Sequence, residues 1–137
     1  MTDITTIGEV LIDLTQTGVN DQNVPMLAAN PGGAPANVAV AAARLGAQTA
    51  FCGKVGRDGF GNYLSQVLQE NGVDVCGLCT SKTPTTMAVV TLSQEGERSF
   101  RFVRGADAEL CPEEIDIHSL ANTKVLHFGS RSEERRV

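Results

Sequence analysis

The order of β-type and helical segments is the feature that most restricts the fold of this chain. Residues 4–14, 49–56 and 73–78 are rich in aliphatic and β-branched side chains, which predicts strands. Between them, residues 34–47 and 58–72 carry apolar side chains at helical spacing and end at glycine. This alternation predicts a layered α/β fold, with a largely parallel sheet and flanking helices.

The alternation stops before residue 84. Two β-type segments, 85–93 and 97–104, follow one another directly, and they are joined by Gln94-Glu95-Gly96. Adjacent β-type segments with a glycine between them predict a β-hairpin. We therefore expect residues 84–104 to project from the α/β layer as a hairpin.

The remaining segments are less regular. Residues 15–33 are polar and interrupted by Gly and Pro, which predicts a connecting loop. Residues 111–121 predict a short helix, residues 124–130 a core strand, and residues 131–137 a charged, solvated tail. Because such a strand is normally followed by a crossover helix, we expect residues 1–130 to be the amino-terminal part of a longer, truncated domain.

Composition excludes several classes of partner. The chain has 11 Lys and Arg against 16 Asp and Glu, a formal net charge of −5. Nucleic acid binding needs a basic face, so nucleic acid is not an expected partner. The first residues contain neither a basic stretch nor a long apolar run, and Glu9 and Asp13 interrupt them, so we expect no membrane span or export signal and a cytoplasmic location.

The four cysteines do not form a recognisable metal motif. Cys76 and Cys79 have C-x-x-C spacing, whereas Cys52 and Cys111 are isolated. A zinc site needs a second pair of ligands, and a thioredoxin-like pair normally opens a helix. The sequence therefore predicts no metal site, and the cysteines are interpreted as reduced, small, buried apolar side chains.

A glycine pair before the first helix is the best candidate for a ligand site. Gly32 and Gly33 allow a ligand to approach the backbone, and the helix that follows offers free N–H donors. The segment is neither a Walker A loop nor a dinucleotide-binding fingerprint. A turn without function remains open, but Asn37, a carboxamide one turn into an Ala-rich helix, favours a ligand, as does Asp13 near a strand end.

Several motifs together resemble the ribokinase-like (PfkB) carbohydrate kinases, and within them most closely the fructokinases. They are Gly8-Glu9-Val10-Leu11-Ile12-Asp13, Gly32-Gly33-Ala34-Pro35-Ala36-Asn37-Val38-Ala39 with Gly46 and Gly56, Gly53 to Gly61, Gly72-Val73-Asp74, Pro84-Thr85, and Gly96-Glu97-Arg98-Ser99-Phe100 through Arg104 to Ala106-Asp107. The resemblance runs from residue 4 to about residue 130. It implies a ribokinase-like α/β fold.

The resemblance also implies a function, the transfer of phosphate from ATP to a sugar hydroxymethyl group, with fructose as the expected sugar. Asp13 would then hold sugar hydroxyls, and Gly32, Gly33 and Asn37 would contact the sugar. The hairpin corresponds to a lid that excludes water. Phe102 and Arg104 are the lid residues expected to face the sugar, although a solvated charge at Arg104 and ordinary sheet packing at Phe102 stay open.

The same resemblance implies ATP and Mg²⁺, but the motifs associated with them are not found in residues 1–137. These motifs are Gly-Ala-Gly-Asp, which supplies the catalytic base, and Asn-x-x-Glu. We therefore expect the chain by itself to be inactive in phosphoryl transfer.

Two other functions remain as alternatives. One is a non-catalytic sugar-binding module, or a module that forms a homodimer through the lid, because exposed strands readily pair with partner strands. The other is a dinucleotide-binding domain, which the missing fingerprint disfavours.

Overall fold

Two four-stranded sheets organise residues 1–129, which are the residues that the computed structural model describes. In chain order the elements are β1 (Thr2–Ile7), β2 (Leu11–Val19), β3 (Pro25–Gly32), α1 (Ala34–Arg44), β4 (Thr49–Gly56), α2 (Gly59–Glu70), β5 (Val73–Ser81), β6 (Met87–Leu92), β7 (Arg98–Val103), α3 (Ile117–Ala121) and β8 (Thr123–Phe128). The predicted tail, residues 131–137, lies outside the described residues.

The main sheet confirms the predicted α/β class. Its strand order is β5-β4-β1-β8, and all three pairings are parallel. The apolar sides of α1 and α2 pack against it around Phe51, which is fully buried in the core. The core also contains Val10, Ile12, Ala36, Ala39, Val55, Leu64, Leu68 and Val73.

The prediction of one strand over residues 4–14 is wrong, because this segment contributes to two sheets. β1 ends at Ile7 and β2 begins at Leu11. Gly8 lies between them with φ +147°, and a Cβ on it would lie 2.7 Å from the ring of Pro35 in α1. The chain changes direction at a glycine because a side chain there would strain the backbone and meet the helix.

The second sheet has the order β3-β2-β6-β7 and includes residues that were expected to form a loop. β2 and β3 pair in antiparallel register, so most of residues 15–33 is a β-hairpin. Because this sheet is partly exposed, its strands contain many polar residues, and this composition led to the prediction of a loop. The prolines of β3 are tolerated because β3 is an edge strand.

The hairpin predicted at residues 84–104 is present, but it is only half of the projecting layer. β6 pairs with β7 in antiparallel register and with β2 in parallel register. The parallel pairing joins segments far apart in the sequence, and such a pairing leaves no local signal. The layer beside the main sheet therefore has four strands rather than two.

The described helices are short. The longest, α2, has 12 residues. The helix predicted at residues 111–121 is a 3-10 helix at Pro112–Glu114 followed by α3. None of the helices within residues 1–129 combines the length and the apolarity needed to cross a membrane.

The cysteines are free thiols, but the expectation that all four are buried is wrong. Cys52 is buried and Cys79 is half-buried, whereas Cys76 and Cys111 are exposed. Cys111 donates a hydrogen bond from its thiol to Glu114, which also pairs with Lys54 at 2.8 Å. The hydrogen bond from Cys111 and the one from Lys54 lower the pKa of Glu114 from 4.5 to about 2.

Asp58 connects the main sheet to the start of the second sheet. Its carboxylate caps α2 by accepting from the backbone N–H of Gly61 at 2.8 Å. It also accepts from the backbone N–H of Thr85 at 2.9 Å and from the Thr85 hydroxyl at 2.7 Å. Burial alone would raise the pKa of Asp58, but the hydrogen bonds from Thr85 and Gly61 outweigh it and hold the pKa below its ordinary value.

Removing this carboxylate should destabilise the fold. Asp58→Ala deletes the cap of α2 and the hydrogen bonds to Thr85, so we expect the free energy of unfolding at pH 7 to fall by about 2–3 kcal/mol. Because the native pKa is lowered, this stabilisation is present at neutral pH and is lost as the pH falls through the native pKa, below 3.8. Urea unfolding of wild type and variant at about pH 7 and about pH 3 measures both effects.

Asp21→Ala is the control, since Asp21 is exposed in the turn between β2 and β3. Its substitution should change the free energy of unfolding by less than about 0.5 kcal/mol. Equal losses in the two variants would contradict the role of Asp58.

Candidate functional site

Asp13 lies on an inner strand of the second sheet, and the strand register shows which residues share its face. Its direct partners are Asn30 of β3 and Ala88 of β6, and Ala88 is in turn the partner of Phe102 in β7. Directly opposite residues point to the same side of a sheet, and neighbouring strands lie about 4.8 Å apart. One face therefore carries a row of Asn30, Asp13, Ala88 and Phe102.

Gly32 leaves the space that the Asp13 carboxylate occupies. Gly32 is buried, and a Cβ at its position would overlap the Asp13 Oδ2 atom. Asp13 itself is half-buried, and this burial raises the pKa of its carboxyl group. A partly desolvated carboxylate beside an open backbone is suited to accept hydrogen bonds from hydroxyl groups of a ligand.

Gly33 closes the turn that carries the chain from β3 into α1. Its φ is +105°, and a Cβ on it would lie 2.5 Å from the carbonyl oxygen of Glu9. The residue is the N-cap of α1 but contributes no side-chain hydrogen bond, so the helix N-terminus is not capped by it. The N-terminus of α1 thus lies beside Gly32 and Asp13, where its N–H groups and dipole favour an oxygen-rich ligand.

Arg104 lies close to this turn, just after β7. Its Nη1 atom is 4.0 Å from Glu9 Oε2, and its Nε atom is 3.3 Å from Asp107 Oδ1. The Arg104 side chain is 55% exposed, which leaves its guanidinium accessible to a ligand. The structure therefore brings Arg104 to Glu9, the residue that also lies against Gly33.

Phe102 remains partly accessible on the face that carries Asp13. It is 42% exposed, and Phe100, two residues earlier on the same strand face, is 58% exposed. The two rings form an edge-to-face pair with centroids 5.1 Å apart. Ordinary packing would bury these rings more fully, so a contact with a ligand or a partner is favoured for this face.

Asn37 is not joined to Asp13 by any contact that the described residues show. Its side chain is exposed on α1, where it lines a cavity of about 310 Å³ with Pro31, with Val67 of α2 and with Asn71, the C-cap of α2. The backbone N–H of Asn37 donates to the carbonyl of Gly33 at 2.9 Å, as in a regular helix. The convergence of Asn37 with Asp13 on one ligand stays a prediction.

A cavity of about 600 Å³ lies on the opposite face of the second sheet. Ala29 and Met87 line it from the sheet, and Phe60 and Tyr63 line it from α2. Ala29 and Met87 are one register position away from the row of Asp13, so they point to the other side. The cavity is therefore separate from the candidate site.

Sequence reasoning missed two polar residues near the site. Asn30 was placed in a loop, but it is the direct strand partner of Asp13. Asp107 was noted only as part of a motif, although its side chain is 1% exposed and pairs with Arg104. An acidic residue shortly after a predicted strand pair was the available signal for Asp107, whereas Asn30 required the register of β2 and β3.

Comparison with known proteins identifies the family of this chain. The model for pfkB family carbohydrate kinases matches residues 1–135. The chain belongs to the pfkB family of carbohydrate kinases. Its α/β architecture is accordingly the ribokinase-like fold, which confirms the resemblance found in the motifs.

Relatives of this pfkB family chain include proteins named as fructokinases. A probable fructokinase-3 from Arabidopsis thaliana is 45% identical over 134 residues, which cover 94% of this chain and 39% of that protein. The crystal structure of a fructokinase from Xylella fastidiosa superposes with a TM-score of 0.85 at 37% identity, covering 93% of this chain and 41% of that one. The chain thus spans about two fifths of the length of these relatives.

The resemblance found in the motifs implies ATP and Mg²⁺, but the described residues contain no cluster of metal ligands. Within residues 1–129, no three His, Cys, Asp or Glu side chains come together where they could hold a metal ion. We therefore assign no residue to magnesium and derive no step through it.

A side chain should be tolerated less well at Gly33 than at Gly46, another glycine with positive φ. Gly33→Ala places a methyl group against the Glu9 carbonyl, whereas a methyl group on Gly46, which has φ +97°, would meet no atom within 4 Å. Both variants strain the backbone by about 1–2 kcal/mol. We expect Gly33→Ala to cost about 1–3 kcal/mol more than Gly46→Ala in urea unfolding.

Gly46→Ala is the matched control for this comparison, because it shares the strain without the close contact. Equal destabilisation of the two variants would show that the contact between Gly33 and Glu9 does not restrict the turn.

Proposed function

We propose that this chain is the sugar-binding portion of an ATP-dependent fructokinase, with Asp13 as the main acceptor for sugar hydroxyls. The observation that carries the proposal is the half-buried Asp13 carboxylate beside Gly32 and the N-terminus of α1, in a chain of the pfkB family. A carboxylate accepts hydrogen bonds from two neighbouring hydroxyls, and a site of that kind rejects analogues that lack one. Named fructokinases among the relatives support fructose as the sugar.

In this proposal the second sheet acts as the lid over the sugar. Phe102 lies in the row of Asp13, and Arg104 lies two residues further along the chain. An apolar ring covers the carbon skeleton of a sugar, and the guanidinium offers donors to its hydroxyls. Closure over the sugar would exclude the water that competes for the transferred phosphate.

The proposal assigns ATP to the enzyme but not to particular residues of this chain. The Xylella fastidiosa fructokinase has also been solved with bound ATP, at a TM-score of 0.85 and 35% identity. Phosphoryl transfer depends on positioned charge around the phosphate, and residues 1–137 contain no Gly-Ala-Gly-Asp segment. We therefore propose that residues 1–137 bind sugar without transferring phosphate, and we place the enzyme in the cytoplasm.

Calorimetric titration with D-fructose tests the sugar site. We expect Asp13→Asn to weaken binding by about 10- to 100-fold, because it replaces charge-assisted hydrogen bonds. Gly32→Ala should weaken binding as well, since its methyl group displaces the Asp13 carboxylate. The affinity of the wild type for fructose should decrease as the pH is lowered, because Asp13 becomes protonated. This loss should begin at a pH above 3.8, because the pKa of Asp13 is raised from that value.

Stability separates loss of binding from loss of folding. A carboxyl group whose native pKa is raised destabilises the fold at neutral pH, so Asp13→Asn should be at least as stable as wild type at pH 7. Asp21→Asn is the matched control and should bind fructose like wild type. Unchanged fructose affinity in Asp13→Asn, or ATP-dependent turnover by the chain in a coupled assay, would refute the proposed function.

A second candidate function is a homodimer formed through the second sheet. β7 is an edge strand, each of its residues is exposed, and Phe100 and Val103 are 58% and 43% exposed. An unpaired edge with apolar side chains can pair with a second copy. This observation favours the dimer independently of the sugar site.

Light scattering after size-exclusion chromatography tests the dimer. We expect a dimeric mass for wild type and a monomeric mass for Phe100→Ser, because the substitution removes the most exposed ring on β7. Leu45→Ser is the control, since Leu45 is 89% exposed but lies at the end of α1, away from this sheet. A monomeric wild type, or the same change in both variants, contradicts the dimer.

A further inference from the structure

We propose that Asp107 is a positioning residue for the sugar site, holding Arg104 by its Nε atom and connecting it through Thr86 to the strand of Asp13. The proposal rests on the proposed sugar site, but part of its test is independent of sugar. It assigns a role to a buried acid that the sequence motifs alone left without one.

The contacts of Asp107 point to Arg104 and Thr86. Its side chain is 1% exposed. Its Oδ1 atom lies 3.3 Å from Arg104 Nε and accepts a short hydrogen bond from the Thr86 hydroxyl. Its Oδ2 atom is buried and has no hydrogen-bond partner among the residues that the structure describes. Burying a carboxylate with one oxygen unpaired is unfavourable, so a role in folding alone does not account for an acid here.

The chain enters the second sheet through residues 84–86 and leaves it through residues 104–107, and we call these two segments the junction. Thr86 connects Asp107 to both segments. The Thr86 hydroxyl accepts from the backbone N–H of Gly105 at 2.9 Å. Its carbonyl accepts from the backbone N–H of Ile12 at 3.1 Å, one residue before Asp13. Asp107 is thereby tied to the strand that carries the sugar-binding carboxylate.

The use of Nε determines which part of Arg104 is left for a ligand. Asp107 forms an ion pair on the Nε side of the guanidinium, and the two terminal amino groups, which carry four of its five N–H donors, remain available to a ligand. Of these, Nη1 is directed to Glu9 at 4.0 Å, a long contact that a ligand oxygen can replace. Because Glu9 lies against Gly33, the free end of Arg104 is directed to the edge of the proposed sugar site.

Without this contact the Arg104 side chain would be poorly ordered. It is 55% exposed, and an exposed arginine loses much rotamer freedom when it binds a ligand. A buried partner of opposite charge restricts the side chain in advance, which lowers the cost of binding. Asp107 therefore acts on the sugar through Arg104 and does not touch it.

A double-mutant cycle in the 137-residue chain tests this coupling. We expect Asp107→Asn, which keeps the shape and removes the charge, to weaken D-fructose binding by about 3- to 10-fold. Arg104→Ala should weaken it by at least the same factor, and adding Asp107→Asn to Arg104→Ala should cause no further loss. Glu113→Gln, an exposed acid after the junction, is the control and should leave the affinity unchanged.

The second measurement does not need sugar. In a ¹⁵N-resolved NMR spectrum, the Nε–Hε signal of Arg104 is identified as the signal that is absent from the spectrum of Arg104→Ala. We expect this signal to shift in Asp107→Asn and to stay in place in Glu113→Gln. If Asp107→Asn does not fold, Thr86→Val and Thr86→Ser replace it: Val should shift the Arg104 signal and Ser should leave it close to wild type.

The outcomes distinguish the two proposals. An unmoved Arg104 signal in Asp107→Asn, or an equal loss of fructose affinity with and without Arg104, overturns the positioning role. Failure of wild type to bind fructose overturns the proposed function, while a shifted Arg104 signal would still support the contact between Asp107 and Arg104. A lower melting temperature of Asp107→Asn with unchanged signal and affinity shows a structural role and overturns the proposal.

Discussion

The hydrogen bonds between Asp58 and Thr85 are the constraint on which the arrangement of the two sheets depends. Asp58 begins α2, which packs on the main sheet, and the same carboxylate holds the residue from which the chain enters β6. The Thr85 hydroxyl also accepts from the backbone N–H of Gly56 at the end of β4, at 2.9 Å. Three elements thus meet at one buried threonine, and the second sheet is held at a defined place beside the main sheet.

Two acids, Asp58 and Asp13, illustrate two uses of partial burial. Asp58 is satisfied by several donors, so its charge stabilises the fold and its pKa is lowered. Asp13 is partly desolvated without comparable compensation, and its pKa is raised. The first pattern is typical of a structural carboxylate, and the second is typical of a carboxylate retained for a ligand at some cost to stability.

Much of the main sheet could be predicted from the sequence because its signals are local. The strand at 49–56 and the helices after Ala34 and Gly59 have the predicted type and nearly the predicted bounds. The glycine pair and Asp13 were recognised as a candidate site, and the structure brings Gly32 against Asp13. The position of Asn37 could not be predicted, because the direction of a helix side chain depends on how the helix packs.

Local signals in the sequence were enough to establish the family, the α/β class and the location of the glycine turn, since motifs, apolar periodicity and backbone requirements are all local properties. The division of residues 4–14 between two sheets at Gly8 became visible only in the folded chain, because its cause is a close approach to Pro35, 27 positions later. The same holds for the pairing of β2 with β6 and for the hydrogen bond between Thr86 and Asp107, which are 21 positions apart. Those contacts join distant segments, and the free energy that selects them comes from packing and buried polar groups, which no short stretch of sequence contains.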